Sequence, residues 1–185
     1  VVFLNKKDGT TLHETAMNGA VIAAPAYDAG TDSIFVGSLG NEFVRINRQD
    51  GEIVWRYDAA GTLGSVWAKP ILVDGQVIFN DKNGKIYSLS PETGLENWLF
   101  NAGGSQLAGL ALIEGQGFVV ALEDGTITFY NMDRQAVWSR VVSGNVYDTP
   151  VVTDTLILVG TVKGDNLVNA FDFQGQPVWT FKPEK

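Results

Sequence analysis

His13 is the only histidine in the chain, and there is no cysteine. Thiolate nucleophiles, disulfides, iron-sulfur clusters and Cys-based zinc sites are therefore excluded, and any Ser-His-Asp relay or His-based metal site would have to pass through one imidazole. Gly103 and Gly104 with Gly109 lack the spacing and the strand-to-helix setting of a dinucleotide loop, and no Walker sequence is present. Asp28 and Asp32 fall in a loop between two strands, where Asp is a common turn former, so they read as turn residues rather than cation ligands. Trp67, Lys69, Tyr147 and Asp148 are different: they combine aromatic rings with opposite charges, the surface chemistry of partner binding rather than of bond making.

The elements that must carry these residues follow from composition. The chain has 185 residues and 20.0 kDa, 45% of it apolar and 11% aromatic, enough to fill a core. Its net charge of −8 makes a phosphate backbone an unfavourable partner, so nucleic acid is not expected. No apolar run approaches membrane-spanning length. Twenty-one glycines recur in turns between short runs rich in Val, Ile, Phe and Tyr, a strand-and-turn pattern. Gly, Asn, Asp and β-branched residues interrupt every candidate amphipathic helix, so almost no helix is expected.

The chain is a repeat. Trp55, Trp98, Trp138 and Trp179 are separated by 43, 40 and 41 residues. Four positions before each stand Gly51, Gly94 and Gly175, with Arg134 as the exception. Pro25, Pro70 and Pro150 open a strand ahead of three of the units, and Leu110 stands where the fourth proline would fall. Residues 70 to 100 give the clearest copy: PILV begins strand A, Asp74-Gly75 turns, QVIFND is B, Asn83-Gly84 turns, KIYSLS is C, PETG turns, and LENWLF is D. Apolar pairs two residues apart, such as Val44 with Ile46 and Tyr87 with Leu89, mark one buried face of strand C. A lone four-stranded meander cannot bury both faces, and four-stranded units of about 40 to 50 residues are the mark of propeller blades.

The end of each unit resembles the pyrroloquinoline-quinone (PQQ)-like propeller repeat, which carries Ala-x-Asp-x-x-Thr-Gly-Lys-x-x-Trp across strands C and D. SLSPETGLENW keeps Thr93, Gly94 and Trp98, with Ser88 and Ser90 where that family has Ala and Asp; NAFDFQGQPVW keeps Ala170 and Asp172 with a turn one residue shorter. The resemblance implies an all-β propeller in which Trp55, Trp98, Trp138 and Trp179 dock each blade on its neighbour, helped by Gly51, Gly94 and Gly175. Burying one indole removes about 200 Å² from water, on the order of 5 kcal/mol before entropy is counted. The expected divisions are 1–14, strands C and D of an incomplete blade with His13 at the Trp position, then blades at 15–57, 58–100, 101–140 and 141–185. Half a blade followed by four whole ones reads as a piece of a larger ring, because a bare strand edge invites pairing with another chain.

In such a propeller the loops entering strand A and those joining B to C share one face. The residues just before strand A align as Ile22, Trp67, Ala108 and Tyr147. Trp67 is the one Trp outside the docking set, so Trp67, Lys69, Tyr147 and Asp148 form a candidate partner-binding face; alternatively, Trp67 and Tyr147 plug a central channel. Asp81, Glu123, Asp124 and Asp165, on turns of that face, read as a solvated acidic rim. The resemblance implies a non-catalytic, protein-binding scaffold in the periplasm, cell envelope or extracellular space. It is similar in kind to the lipoprotein scaffolds of outer-membrane β-barrel assembly (BamB-like), with no catalytic residue, cofactor or metal. Two alternatives stand beside it. One is a fragment of a quinoprotein alcohol or glucose dehydrogenase, which would need PQQ and calcium. The other is a structural spacer in a larger surface protein.

Overall fold

A computed structural model describes residues 1–184. Among these residues every regular element but one is a strand. In chain order, β1 (Val2–Leu4) and β2 (Thr11–Glu14) form a two-stranded sheet. Four four-stranded antiparallel sheets follow, each in meander order. They are built from β3 (Ala26–Asp28), β4 (Ser33–Gly37), β5 (Phe43–Asn47) and β6 (Ile53–Tyr57); β7 (Ile71–Val73), β8 (Gln76–Asn80), β9 (Lys85–Leu89) and β10 (Glu96–Asn101); β11 (Ala111–Ile113), β12 (Gly117–Ala121), β13 (Thr126–Asn131) and β14 (Ala136–Val141); and β15 (Val151–Val152), β16 (Ile157–Gly160), β17 (Val168–Phe171) and β18 (Pro177–Phe181). The exception is a single 3₁₀ turn at Ala59–Gly61. The expected strand-and-turn alternation is thus the observed one.

The turns explain the meander. Asp74 and Gly75 both have positive φ, 49° and 69°, and Val73 pairs with Gln76 across them, the two-residue geometry whose twist matches antiparallel strands. Where strands C and D pair, the register slips by one residue beside the docking position: Arg45 pairs with Trp55, Phe129 with Trp138 and Ala170 with Trp179, each next to a bulge. Phe3 pairs with His13 in the same way. A bulge sharpens local twist and re-aims the side chain beside it, so the position that carries the ring is marked by backbone as well as by sequence.

Contacts divide the chain into two compact units, residues 1–81 with 87–99, and residues 82–86 with 100–185. The first has an aromatic core. Phe43 stacks on Phe79 at 3.8 Å between ring centres, Phe79 on Tyr87 at 5.1 Å, and Tyr57 meets both edge-on. Leu63, Val66, Val77 and Leu89 complete the cluster, and Val36, Val44 and Ile46 form a second one with Phe3 and Met17 against it. The second unit is mainly aliphatic, with Val119, Ile127, Val146, Ile157 and Val159 packed around Phe129, Trp138 and Phe171.

Within each unit the docking rings rest on glycine turns. A β-carbon on Gly94 would come within 2.7 Å of the Trp55 ring, and one on Gly175 within 2.5 Å of the Trp138 ring; one on Gly51 would meet the His13 β-carbon at 2.6 Å. The indole N–H groups donate to the same turns, Trp55 to the Pro91 carbonyl at 3.1 Å and Trp138 to that of Phe173 at 2.9 Å. An arginine joins each clasp: Arg45 on β5, the strand beside that of Trp55, donates to the Pro91 and Glu92 carbonyls, and Arg140 on β14, the strand of Trp138 itself, to that of Gly175. The Trp98 indole donates to Gln76 Oε1 of its own sheet at 3.1 Å. Trp179 is 43% exposed on β18, where Trp138 is 8%.

Candidate functional site

Two connections carry the aromatic and charged residues singled out from sequence, one in each unit. In the first, residues 58–70 join β6 to β7. Ala59, Ala60 and Gly61 all take left-handed backbone, φ 52°, 52° and 80°, a conformation that costs L-residues about 1 to 2 kcal/mol each. The segment is then pinned: the Gly64 N–H donates to the Asp81 carboxylate at 2.8 Å and the Val66 N–H to the Ser38 carbonyl at 3.0 Å. Val66 packs where Gly37 has no side chain; a β-carbon there would lie 2.3 Å from Val66 Cγ1. Val66, Ala68 and Pro70 are buried, and in that extended run the alternate residues turn the other way. Trp67 is accordingly half-buried and Lys69 exposed.

In the second unit, residues 142–150 join β14 to β15. Asn145 exchanges both backbone hydrogen bonds with Val162 at 2.9 Å, and the next residue, Val146, donates to the Glu123 carbonyl at 3.3 Å. Val146 and Pro150 are buried, while Tyr147 is 45% exposed and Asp148 exposed. Asp148 accepts the Thr149 N–H at 2.8 Å, and the Thr149 hydroxyl oxygen accepts the Gly109 N–H at 2.9 Å, which holds the end of the segment. The connection ahead of β11 repeats this plan: Ser105 accepts from Glu123 N–H, and Gln106 N–H donates to Lys82. The residue equivalent to Tyr147 is therefore Leu107, half-buried, and not Ala108, which is 1% exposed and part of the core. Counting three residues back from Leu110, as Trp67 and Tyr147 stand from Pro70 and Pro150, also gives Leu107, so Ala108 is one residue out of register.

Asp81 also requires a correction. It is not a rim residue: it is fully buried, accepting from Gly64 N–H and from the Tyr87 hydroxyl at 3.0 Å. Burial, with the Asp81 carboxylate beside it, pushes the Tyr87 hydroxyl well above the usual tyrosine range. Sequence could not reveal this, because the partner that draws Asp81 inward lies 17 residues back, in another connection. Glu123 is half-buried and takes the Ser105 hydroxyl at 2.8 Å, whereas Asp124 and Asp165 are exposed. Asp28 accepts from Thr31 and Gly30, and Asp32 is clamped by Arg48, Gln49 and Tyr27. His13 lies edge-on to Phe3 at 6.1 Å and opposite Gly51, the place of a docking ring. Among the described residues no three His, Asp or Glu side chains are gathered as a cation would need, so no step through a quinone and calcium is derived. Among them, too, no helix is long and apolar enough to cross a membrane.

Gln106 is among the buried polar residues that sequence reasoning did not single out. Gln106 is fully buried where the equivalent residues are Val66 and Val146, and its side-chain oxygen and nitrogen make no hydrogen bond among the described residues.

Known proteins extend this picture. A family model described as outer membrane protein assembly factor BamB matches residues 1–134 and again 82–185. The protein of that name from Shewanella oneidensis is 25% identical over 183 residues, covering 90% of this chain and 45% of its own length. The chain thus spans less than half of that relative. The structure of BamB from Moraxella catarrhalis superposes with a TM-score of 0.77 at 15% identity, over 93% of this chain and 56% of that one. The quinohemoprotein alcohol dehydrogenase ADHIIG from Pseudomonas putida HK5 gives 0.75 at 15% identity, over 91% of this chain and 35% of that one. At such identities the two structures speak for the fold, that of β-propeller blades, and for nothing finer.

Proposed function

The chain belongs to the family of the outer membrane protein assembly factor BamB, and from that membership we propose that it is a non-catalytic propeller segment that binds a protein partner outside the cytoplasm, in the cell envelope. The observation that carries this reading is the division of labour among the tryptophans. Trp55 and Trp138 are committed to glycine turns and turn carbonyls, whereas Trp67 lies outside that repeat, half-buried on a pinned connection beside the exposed Lys69. Amphipathic aromatics on rigid loops are the residues that dominate protein interfaces. Trp67 with Lys69, and separately Tyr147 with Asp148, are the proposed contact residues, each pair within its own unit.

Capture from a cell-envelope extract tests it. A saturable partner that is lost from Trp67→Ala and from Tyr147→Ala, with the circular dichroism and melting of both variants unchanged, is the expected result. Equal capture by both variants overturns the assignment of these residues, and no saturable partner at all favours a spacer. The alternative of a quinoprotein dehydrogenase fragment draws on fold likeness alone; dye-linked alcohol oxidation after addition of PQQ and calcium would support it.

A further inference from the structure

A cavity of about 340 Å³ lies in the first unit, walled by Asn18, Asn41, Glu42, Arg56, Asp58 and Leu63 among others. Its lining holds an ion pair between buried Glu42 and exposed Arg56. The Glu42 side chain is 3% exposed, accepting from Arg56 on one carboxylate oxygen and from the Asn18 N–H on the other. Arg56 is 44% exposed and reaches the Ala16 carbonyl with its remaining terminal nitrogen. Neither charge belongs to the repeat. The residue before strand C is Glu42 here but Gly84, Gly125 and Leu167 elsewhere, and the residue after the docking Trp is Arg56 here but Leu99, Ser139 and Thr180 elsewhere. Sheet packing therefore does not ask for this pair, and a carboxylate taken from water is costly to keep.

The wall adds a second departure. Asp58 precedes the left-handed run Ala59, Ala60 and Gly61; its side chain makes no capping bond to that turn and holds no ion pair among the described residues. Backbone held in a sparsely populated region points to a local task rather than to chain economy. Glu42 and Arg56 offset each other, which leaves the Asp58 carboxylate as the uncompensated charge of the cavity.

We propose that this cavity is a socket for one cationic side chain, a lysine or arginine, presented by a loop of a protein partner. Its volume is at the small end of ligand pockets, its surplus charge is negative, and its asparagine amides and turn carbonyls can accept the hydrogens of an ammonium or guanidinium group. The socket deepens the reading of the chain as a protein-binding module and uses neither Trp67 nor Tyr147, so the two assignments can fail separately.

The test is titration of the full chain with Nα-acetyl-lysine N-methylamide, followed by amide shifts of Asn18, Gly40, Asn41 and Gly61. Saturable shifts confined to these amides are expected, weakened threefold or more in Asp58→Asn and changed less than twofold in Asp154→Asn, which removes the same charge from an exposed turn elsewhere. Shifts scattered over the acidic surface, or equal weakening in the two variants, overturn the socket. So does an Nα-acetyl-glutamate N-methylamide that shifts the same amides as strongly. Absence of any shift with the lysine probe up to 50-fold excess over protein at millimolar concentration overturns it as well.

Discussion

Gly175 lies so close beneath the indole of Trp138 that a single added carbon would meet the ring at 2.5 Å. The contact is what turns a period of about 40 residues into cohesion between successive sheets, since a large ring can settle only where the opposing chain has no side chain. The same relation holds between Gly94 and Trp55.

Gly175→Ala is expected to cost about 2 to 4 kcal/mol, from left-handed backbone strain and overpacking together. Gly9→Ala provides the matched control. Gly9 and Gly175 share φ 73°, but nothing lies within 4 Å of a β-carbon on Gly9, so only the backbone part, about 1 kcal/mol, should be lost. Urea unfolding midpoints of the two variants measure the difference; equal losses would show that the ring contact contributes nothing.

Asp81→Ala should destabilise by about 2 to 4 kcal/mol, because it strands the buried Gly64 N–H and Tyr87 hydroxyl that the carboxylate now satisfies. Asp81→Asn keeps one acceptor oxygen and should cost clearly less. Hydrogen exchange at the Gly64 amide offers a local readout and should accelerate in both variants, more so in the alanine.

Gln106→Val is expected to stabilise the chain by about 1 to 2 kcal/mol, since it removes a buried amide without a hydrogen-bonding partner and restores the residue that the equivalent positions 66 and 146 already carry. A higher midpoint of thermal unfolding checks this, and a lower one would contradict it.

The Asp32 carboxyl should titrate at about 2 rather than the ordinary 3.8, with hydrogen bonds from Arg48 and Gln49 as the leading causes. Because the folded value is depressed, the stabilisation is present above pH 3.8 and is lost as pH falls through about 2. Carbon-13 shifts of the carboxyl group follow the midpoint directly, and Arg48→Ala should move it back up toward the ordinary value.

Most of the sheet architecture was legible because it is periodic. Trp spacing, Asp74-Gly75 and the apolar alternation of strand C each report a local or repeating requirement, and all four sheets follow from them. What stayed hidden breaks the period. Asp81 resembles any turn carboxylate until the Gly64 segment closes over it. Glu42 and Arg56 are ordinary polar residues in sequence, 14 positions apart, and only the pairing of β5 with β6 brings them together. The left-handed Ala59 and Ala60 carry no glycine or asparagine to announce them. Of the candidate contact residues, Trp67 stood out because it falls outside the Trp period, and the place of Leu107, three residues before Leu110, agrees with the backbone bonds of Gln106.

Those backbone bonds reach beyond any single repeat. Asn145 is tied to Val162 of its own sheet, and Val146, its immediate neighbour, to Glu123 of the sheet before. A gene duplication that copies one whole period reproduces both ties at the new junction, but an insertion between residues 145 and 146 would sever them. Arrays of this kind can therefore lengthen or shorten only in complete modules, and tolerated changes of chain length should collect in the outward hairpins, away from these paired amides.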